Sequence, residues 1–414
     1  MSERCDAVVV GAGVMGASTA MHLASVGLKV LLLEKAPGPG FGSTGKSVAG
    51  IRQTYSHFEM TLLAREALNQ FQNWRDFTGL EAPKAGFKNS GFLFLLSATE
   101  TSMPALRSHH LRAGVESHVL DAKQIRSQFP DISSCGQPLN LEDETHDCIG
   151  GVQGLWEPQG GFADPVGTAE DMLAVARREG AQVRFNVRVT EVHQAGGRIT
   201  GVKAQGPGGA LQVDAPVVVN CAGPWAPGLN ALAGVRLRQE LVPTRIQVLT
   251  KRHPERLSGR LPFVGDMVTG IYFRPEASGS SVILGSLREE DEREAVTDLE
   301  HYVNGADTPF RERQLTLLHH RVSTFHARGD VSSYAGLYTV NREDSHPVMD
   351  QVGPQGFYPV CGFSGHGFKI SPMVGTLVTR RITGQWGRVP SGVPLEFFAA
   401  DRTPLKTTWG GVIA

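Results

Sequence analysis

The sequence predicts an α/β fold of two interleaved domains, and three observations carry the prediction. The chain opens on a strand–helix–strand unit built around a glycine motif. Its texture changes near Gly86 to shorter strand-like pieces, then returns to helix-then-strand patterning near Gly160 and again near Asp344. A buried parallel-type strand, Val217-Val-Val-Asn-Cys-Ala-Gly223, lies far from the opening unit in sequence yet shares its character. At 414 residues the chain exceeds what one compact core holds, so two domains are expected.

Each element follows from its local pattern. Residues 6–10 form a short continuous apolar run, suited to a parallel strand buried on both faces. A helix is predicted over 14–26, with Gly27 as its stop, and a second strand over 28–34. A loop rich in Gly, Pro and Ser covers 37–50, and a long helical pattern covers 58–77. Further strands are predicted over 91–96, over 183–192 by alternation, and over 270–274 and 281–285. The run 289–294 reads as a solvated helix start, and residues from 389 onward read as a tail with several prolines.

Composition excludes several function classes. Forty basic and forty-one acidic side chains nearly cancel, so no basic excess exists to neutralise a phosphate backbone or dock on an anionic membrane. Nucleic acid is therefore not an expected partner. The five cysteines (Cys5, Cys135, Cys148, Cys221, Cys361) are scattered without a CxxC pair. That spacing offers neither a zinc site nor a disulfide framework, and it suits a reducing compartment. No metal is expected. The apolar stretch 7–33 is cut by Gly11, Gly13, Gly16 and Gly27 and carries His22 and Lys29, so it reads as folded chain in a cytoplasmic protein, not as a signal or a membrane span.

Two glycine-rich segments carry chemistry. Gly11-Ala-Gly13-Val14-Met15-Gly16 sits between strand and helix, with Glu34 at the end of the second strand. The first glycine permits the tight turn, the second lets backbone approach a pyrophosphate, and the third lets helix and strand pack closely. Glu34 is placed to accept hydrogen bonds from ribose hydroxyls. The motif points to an adenine dinucleotide without separating FAD from NAD. The second segment, Gly362-Phe-Ser-Gly-His-Gly-Phe-Lys369, opens a helical stretch ending near Gly384. It is either a backbone cradle, whose helix dipole would stabilise negative charge, or a tight loop into a core helix.

With these segments stand Gly42-Ser-Thr-Gly-Lys-Ser-Val-Ala-Gly-Ile-Arg52-Gln-Thr-Tyr55, Gly160-Gly-Phe-Ala-Asp-Pro165, residues 217–225, Tyr338-Thr339 and Asp344-Ser-His-Pro347. In this order over most of the chain, they resemble the glycine oxidase and sarcosine oxidase branch of the D-amino acid oxidase superfamily, including sarcosine oxidase beta subunits. The resemblance implies an α/β fold in which a GR2-type FAD-binding Rossmann-like domain interleaves with a smaller α+β substrate domain built on an antiparallel sheet. The implied FAD-binding segments are 1–85, 151–235 and 336–390, the substrate segments 86–150 and 236–335, and the tail 391–414.

By the same resemblance, Arg52 and Lys369 hold a substrate carboxylate, while Tyr338 and His366 line the substrate pocket. His366 is the candidate acceptor of a proton from the substrate amine. FAD contacts are implied for Gly11, Gly13, Val14, Met15, Gly16, Glu34, Lys35, Gly42, Ser43, Thr44, Lys46, Val187, Ala222, Gly223, Trp225, Gly362, Gly365, His366, Gly367, Phe368 and Lys369. Cys221 is expected to be a small core residue.

The implied reaction is oxidation of the C–N bond of a small amino acid or N-methyl amino acid. A hydride passes to flavin N5, and the resulting imine hydrolyses. Two alternatives stay open: a 2-hydroxy-acid dehydrogenase on the same fold, and a non-catalytic flavin-binding assembly factor, since a relative of this branch serves respiratory complex I in that way. Departures from the family matter too. Gly336 stands where monomeric sarcosine oxidases attach FAD through a cysteine, and residues 42–48 hold no histidine, so FAD is expected to be non-covalent. Ile283 stands where sarcosine oxidase has its oxygen-activating lysine, leaving the acceptor open between oxygen and another carrier. The oligomeric state is equally open.

Overall fold

The computed structural model describes residues 3–141, 146–148, 150–253, 257 and 259–406. Its centre is a six-stranded sheet in the order Val348–Met349, Phe357–Cys361, Val217–Asn220, Ala7–Val10, Val30–Leu33, Gln182–Arg184. The last five of these run parallel, and Val348–Met349 is antiparallel at the edge. The runs Ala-Val-Val-Val and Val-Leu-Leu-Leu are almost wholly buried, which is why their strands show no polar alternation.

Helix Val14–Ser25 crosses over between the first two parallel strands and packs on helices Pro165–Arg178 and Gly367–Thr383. At Gly16 a Cβ would lie 1.8 Å from the Gly11 carbonyl oxygen, so only glycine permits this helix–turn approach. A four-stranded sheet, ordered Glu3–Arg4, Gly209–Asp214, Arg198–Gly206, Arg188–Ala195, covers the central sheet by packing Val202 and Val213 with Val8 and Leu31.

An eight-stranded sheet forms the second body. Its order is Val331–Asn341, Leu241–Arg252, Ser281–Ser286, Ile271–Pro275, Phe263–Asp266, Phe92–Ser97, Val152–Glu157, His118–Leu120. All pairings are antiparallel except Phe263–Asp266 with Phe92–Ser97. Helix Thr308–Arg321 packs on this sheet through Leu317 and Leu318, against Leu249, Phe273 and Leu284. No helix among the described residues is long and apolar enough to cross a membrane.

Several expectations are corrected. The helix predicted over 58–77 divides into Phe58–Gln72 and Trp74–Thr78, because Asn73 leaves the helical region (φ −111°, ψ 34°). The alternating stretch 183–192 is two strands in two different sheets, turned apart at Asn186 with φ 58°. Residues 289–294 do not form a solvated α-helix: Glu289–Glu292 is a single 3-10 turn with Glu292 buried. The limits at 151 and 336 also shift. Strand Val152–Glu157 pairs with Phe92–Ser97, and Val331–Asn341 runs unbroken through position 336, so both belong to the eight-stranded sheet.

The described part of the expected tail, 391–406, is docked, and 407–414 lie outside the described residues. Val393 and Phe398 are buried, and the Arg402 guanidinium forks onto Asp344 with two 2.9 Å bonds. Arg402 also donates to the carbonyls of His346 and Pro347. The final segment thereby clamps the turn 344–347 just below the second glycine-rich loop.

Candidate active site

A cavity of about 650 Å³ runs along the carboxyl ends of the central parallel strands, where an open α/β sheet places its ligands. Gly11, Gly13, Val14, Met15, Glu34 and Lys35 line one end. Gly42, Ser43, Thr44, Val187, Ala222, Gly223 and Trp225 follow along its length, and Tyr338, Gly362, Gly365, Gly367 and Phe368 close the other. Residues as far apart in sequence as Gly11 and Phe368 are thus brought onto one wall.

The first end is arranged for a dinucleotide. Helix Val14–Ser25 starts at Gly13 with no side-chain cap and no acidic residue in its first turn. Unsatisfied first-turn N–H groups and the helix dipole make such an end a seat for phosphate. Thr44 Oγ1 accepts from the Val14 N–H at 3.1 Å and ties loop 40–47 to the helix start. The Glu34 carboxylate accepts from the Ala12 and Ala36 N–H groups at 2.7 and 2.8 Å, which fixes its orientation. A carboxylate offers about four acceptor sites, so it retains capacity for ribose hydroxyls.

The other end gathers cations and aromatic rings. Arg52 is buried, with its guanidinium 4.2 Å from the Tyr55 ring centroid and 5.5 Å from that of Phe94. Lys369 is also buried and donates to the Gly365 carbonyl at 3.1 Å. Burial, and then the charge of Arg52, hold the Lys369 ammonium well below the ordinary lysine value. Among the described residues Lys369 forms no ion pair. Tyr338 faces the cavity from strand Val331–Asn341, and burial pushes its phenol up, so it stays a neutral donor.

Not every expected residue lies on the wall. Gly16 acts in packing, as described above. Lys46 turns away to Asn304 Oδ1 (3.3 Å) and the Tyr334 ring. Arg52 and Lys369 sit behind the wall at the Gly365–Phe368 end. His366 is fully buried and does not line the cavity, although Gly365 and Gly367 on either side of it do; its ring centroid lies 5.6 Å from that of Tyr55 and 5.8 Å from that of His346. Ile283 lies in the eight-stranded sheet opposite Arg274, off the wall. At Gly336 a Cβ would meet Lys46 Cβ at 2.7 Å, so the position has no room for a side chain without movement.

Other residues gave no local pattern. Glu157 is fully buried and accepts from the backbone N–H groups of Gln53 (2.7 Å) and Thr54 (2.9 Å) and from the Thr54 hydroxyl. It thereby holds the segment that carries Arg52. Arg274 donates to the Val48 carbonyl at 2.6 Å and braces loop 42–50 from the other sheet, with burial pulling its guanidinium down to about 10. Glu300 bridges the mouth, accepting from Lys35 and from Trp225 Nε1 (3.1 Å), while the Lys35 ammonium lies 3.5 Å from the Trp225 ring centroid.

The family model described as FAD dependent oxidoreductase matches residues 6–381. The chain belongs to that family. The oxidoreductase is 28% identical over 417 residues to FAD-dependent oxidoreductase domain-containing protein 1 of Xenopus laevis, covering 92% of this chain and 79% of the relative. It is 27% identical over 395 residues to monomeric sarcosine oxidase of Streptomyces avermitilis, covering 91% and 93%. Its fold matches L-proline dehydrogenase from P. horikoshii with a TM-score of 0.79, 22% identity, and coverage of 97% and 98%.

The oxidoreductase is therefore an FAD-dependent enzyme related to amino acid oxidases and dehydrogenases. The residues fit that cofactor: a helix N-terminus whose N-cap, Gly13, supplies no side chain, an acidic residue at the second strand end, and a cavity continuing past Trp225 to a second helix start at Gly367.

Proposed function

We propose that the oxidoreductase oxidises the C–N bond of a small amino acid or N-methyl amino acid, with the substrate carboxylate held by Arg52 and Lys369. The observation that carries this reading is the Lys369 ammonium, buried beside Arg52 at the end of the FAD cavity without an ion-pair partner among the described residues. Two neighbouring buried cations repel, and an anionic ligand would offset that cost. The names sarcosine oxidase and proline dehydrogenase support an amino acid with a secondary amine.

Bound FAD supplies the hydride acceptor. The protein supplies position and electrostatics. Arg52 offers a planar fork and Lys369 a point charge, which together fix one end of the substrate. Glu157 fixes Arg52 in turn by holding residues 53 and 54. Tyr338 offers a hydrogen bond from the wall, and the N-terminus of helix Gly367–Thr383 favours negative charge at the same end. We assign the central parallel sheet to FAD binding and the eight-stranded sheet to the substrate cover. A reducing, cytoplasmic setting is part of the same reading and rests on cysteines scattered without a CxxC pair.

The test is the anaerobic absorption spectrum before and after adding sarcosine, glycine or proline. Bleaching of the flavin bands by an amine is expected, and readmitted air then separates oxidase from dehydrogenase by the rate of recolouring. Flavin that bleaches with a 2-hydroxy acid but with no amine would overturn the reading. Denaturing the protein should release FAD into the filtrate, since position 336 carries no linking cysteine. FAD retained on the denatured chain would disprove the non-covalent assignment.

The lowered Lys369 also sets a pH dependence. A lysine shifted down loses its charge at lower pH than usual, so kcat/KM should fall as pH rises through the lowered value, before an ordinary lysine would titrate. Lys369→Met should show a lower kcat/KM without that alkaline limb.

A further inference from the structure

The spacing of the cysteines suggests no metal site, yet folding gathers four metal-ligating side chains, none of which lines the FAD cavity. Cys135, His146, Cys148 and His320 offer two sulfurs and two imidazole nitrogens, all within 4.8 Å of one another. Cys135 Sγ lies 3.2 Å from His146 Nε2, and the His146 and His320 rings meet at right angles with centroids 4.6 Å apart. His320 Nε2 is shielded from solvent and has no hydrogen-bond partner among the described residues. We propose that these four side chains bind one divalent zinc-like ion in a closed structural site.

The donor set is the basis for the choice of ion. Two thiolates and two neutral imidazoles suit tetrahedral zinc, whose bonds of about 2.0–2.3 Å place donors roughly 3.3–3.8 Å apart. Small side-chain movements bring the present cluster to that spacing. On binding, each thiol gives its proton to solvent, and two thiolates neutralise the dication.

Two of the four donors are already tied together by the surrounding chain. Arg321, next to His320, donates to the carbonyls of Ser133 and Cys135 and pairs with Asp266 at 2.7 Å, with both side chains fully buried. The helix end bearing His320 and the backbone bearing Cys135 are therefore joined without metal. Cys148 is exposed and lines a surface cavity with Cys135, which gives an ion its entry path. A bound ion would fasten the segment before strand Val152–Glu157 to helix Thr308–Arg321, and that strand ends at Glu157, which holds the Arg52 segment.

The test uses the purified full-length flavoprotein, stripped with a chelator under reducing anaerobic conditions and titrated with Co²⁺. One equivalent should bind and give the visible d–d bands of tetrahedral thiolate-bound cobalt, and Zn²⁺ should displace it. Cys148→Ser and His320→Gln should each weaken Co²⁺ binding more than about 100-fold, beyond what losing a supporting residue does. The flavin spectrum of each variant reports an intact fold, and the exposed Cys148 is the milder change. Absence of cobalt bands, bands unchanged in folded Cys148→Ser, or a Cys135–Cys148 disulfide in protein purified without reductant would overturn the proposal.

Discussion

Replacing Arg402 by alanine is expected to destabilise the protein by about 3–5 kcal/mol, the range for removing one partner of a buried ion pair. The Arg402 and Asp344 side chains are only 5% and 1% exposed. Without the guanidinium, Asp344 would keep its bonds from Asn341 Nδ2 (2.7 Å) and the His346 N–H (3.0 Å) but bury an uncompensated charge.

The pH dependence has a definite sign. Burial alone would raise the Asp344 carboxyl, but hydrogen bonds and charge from Arg402 override it and hold the group below its usual value. A carboxyl with a depressed folded-state pKa contributes stability above its unfolded value, near 3.9, and loses it as pH falls through the folded value. Urea unfolding of wild type and Arg402→Ala should therefore differ most near neutral pH and converge in acid. Arg402→Met combined with Asp344→Asn should recover part of the loss, because neither charge is then left alone. Equal unfolding midpoints for wild type and Arg402→Ala at neutral pH would show that the final segment does not clamp the turn.

Arg52→Ala is expected to raise the KM for an amino acid substrate at least about tenfold, given roughly 1.5–3 kcal/mol for a hydrogen bond to a charged group. Arg52→Lys should restore little, since an ammonium lacks the planar fork. An amine lacking the carboxylate should be oxidised with the same KM by wild type and variant, which separates carboxylate binding from general damage. Glu157→Gln should raise KM in the same direction without touching substrate, because an amide replaces a carboxylate that accepts from both Gln53 and Thr54 backbone N–H groups. An unchanged KM in folded, flavin-loaded Arg52→Ala would remove that residue from the carboxylate role.

Particular residues mark how far the sequence could be read. Gly11, Gly13, Gly16 and Glu34 announce themselves because turn geometry, close backbone approach and a strand end are constraints within about thirty residues. For Gly362 to Phe368 the glycines left a cradle and a tight loop equally open, and only the family resemblance pointed to the cofactor. Neither could orient His366, whose neighbours on both sides line the cavity while it does not. Lys46 failed for a similar reason: its loop lies at the cavity, but its side chain follows Asn304 and Tyr334.

By itself, then, the sequence determined the strand–helix–strand nucleus with its glycine turn, the adenine-dinucleotide chemistry and the family to which these motifs belong. All are local, written in backbone conformations and in apolar runs that demand burial. Tertiary structure decided which distant groups complete them. Glu157 meets Gln53 and Thr54, Glu300 meets Lys35 and Trp225, Arg402 meets Asp344, and two cysteines meet two histidines around positions 135 and 320. No periodicity records such pairs, because a buried charge or ligand is satisfied wherever packing brings its partner, whatever the distance along the chain.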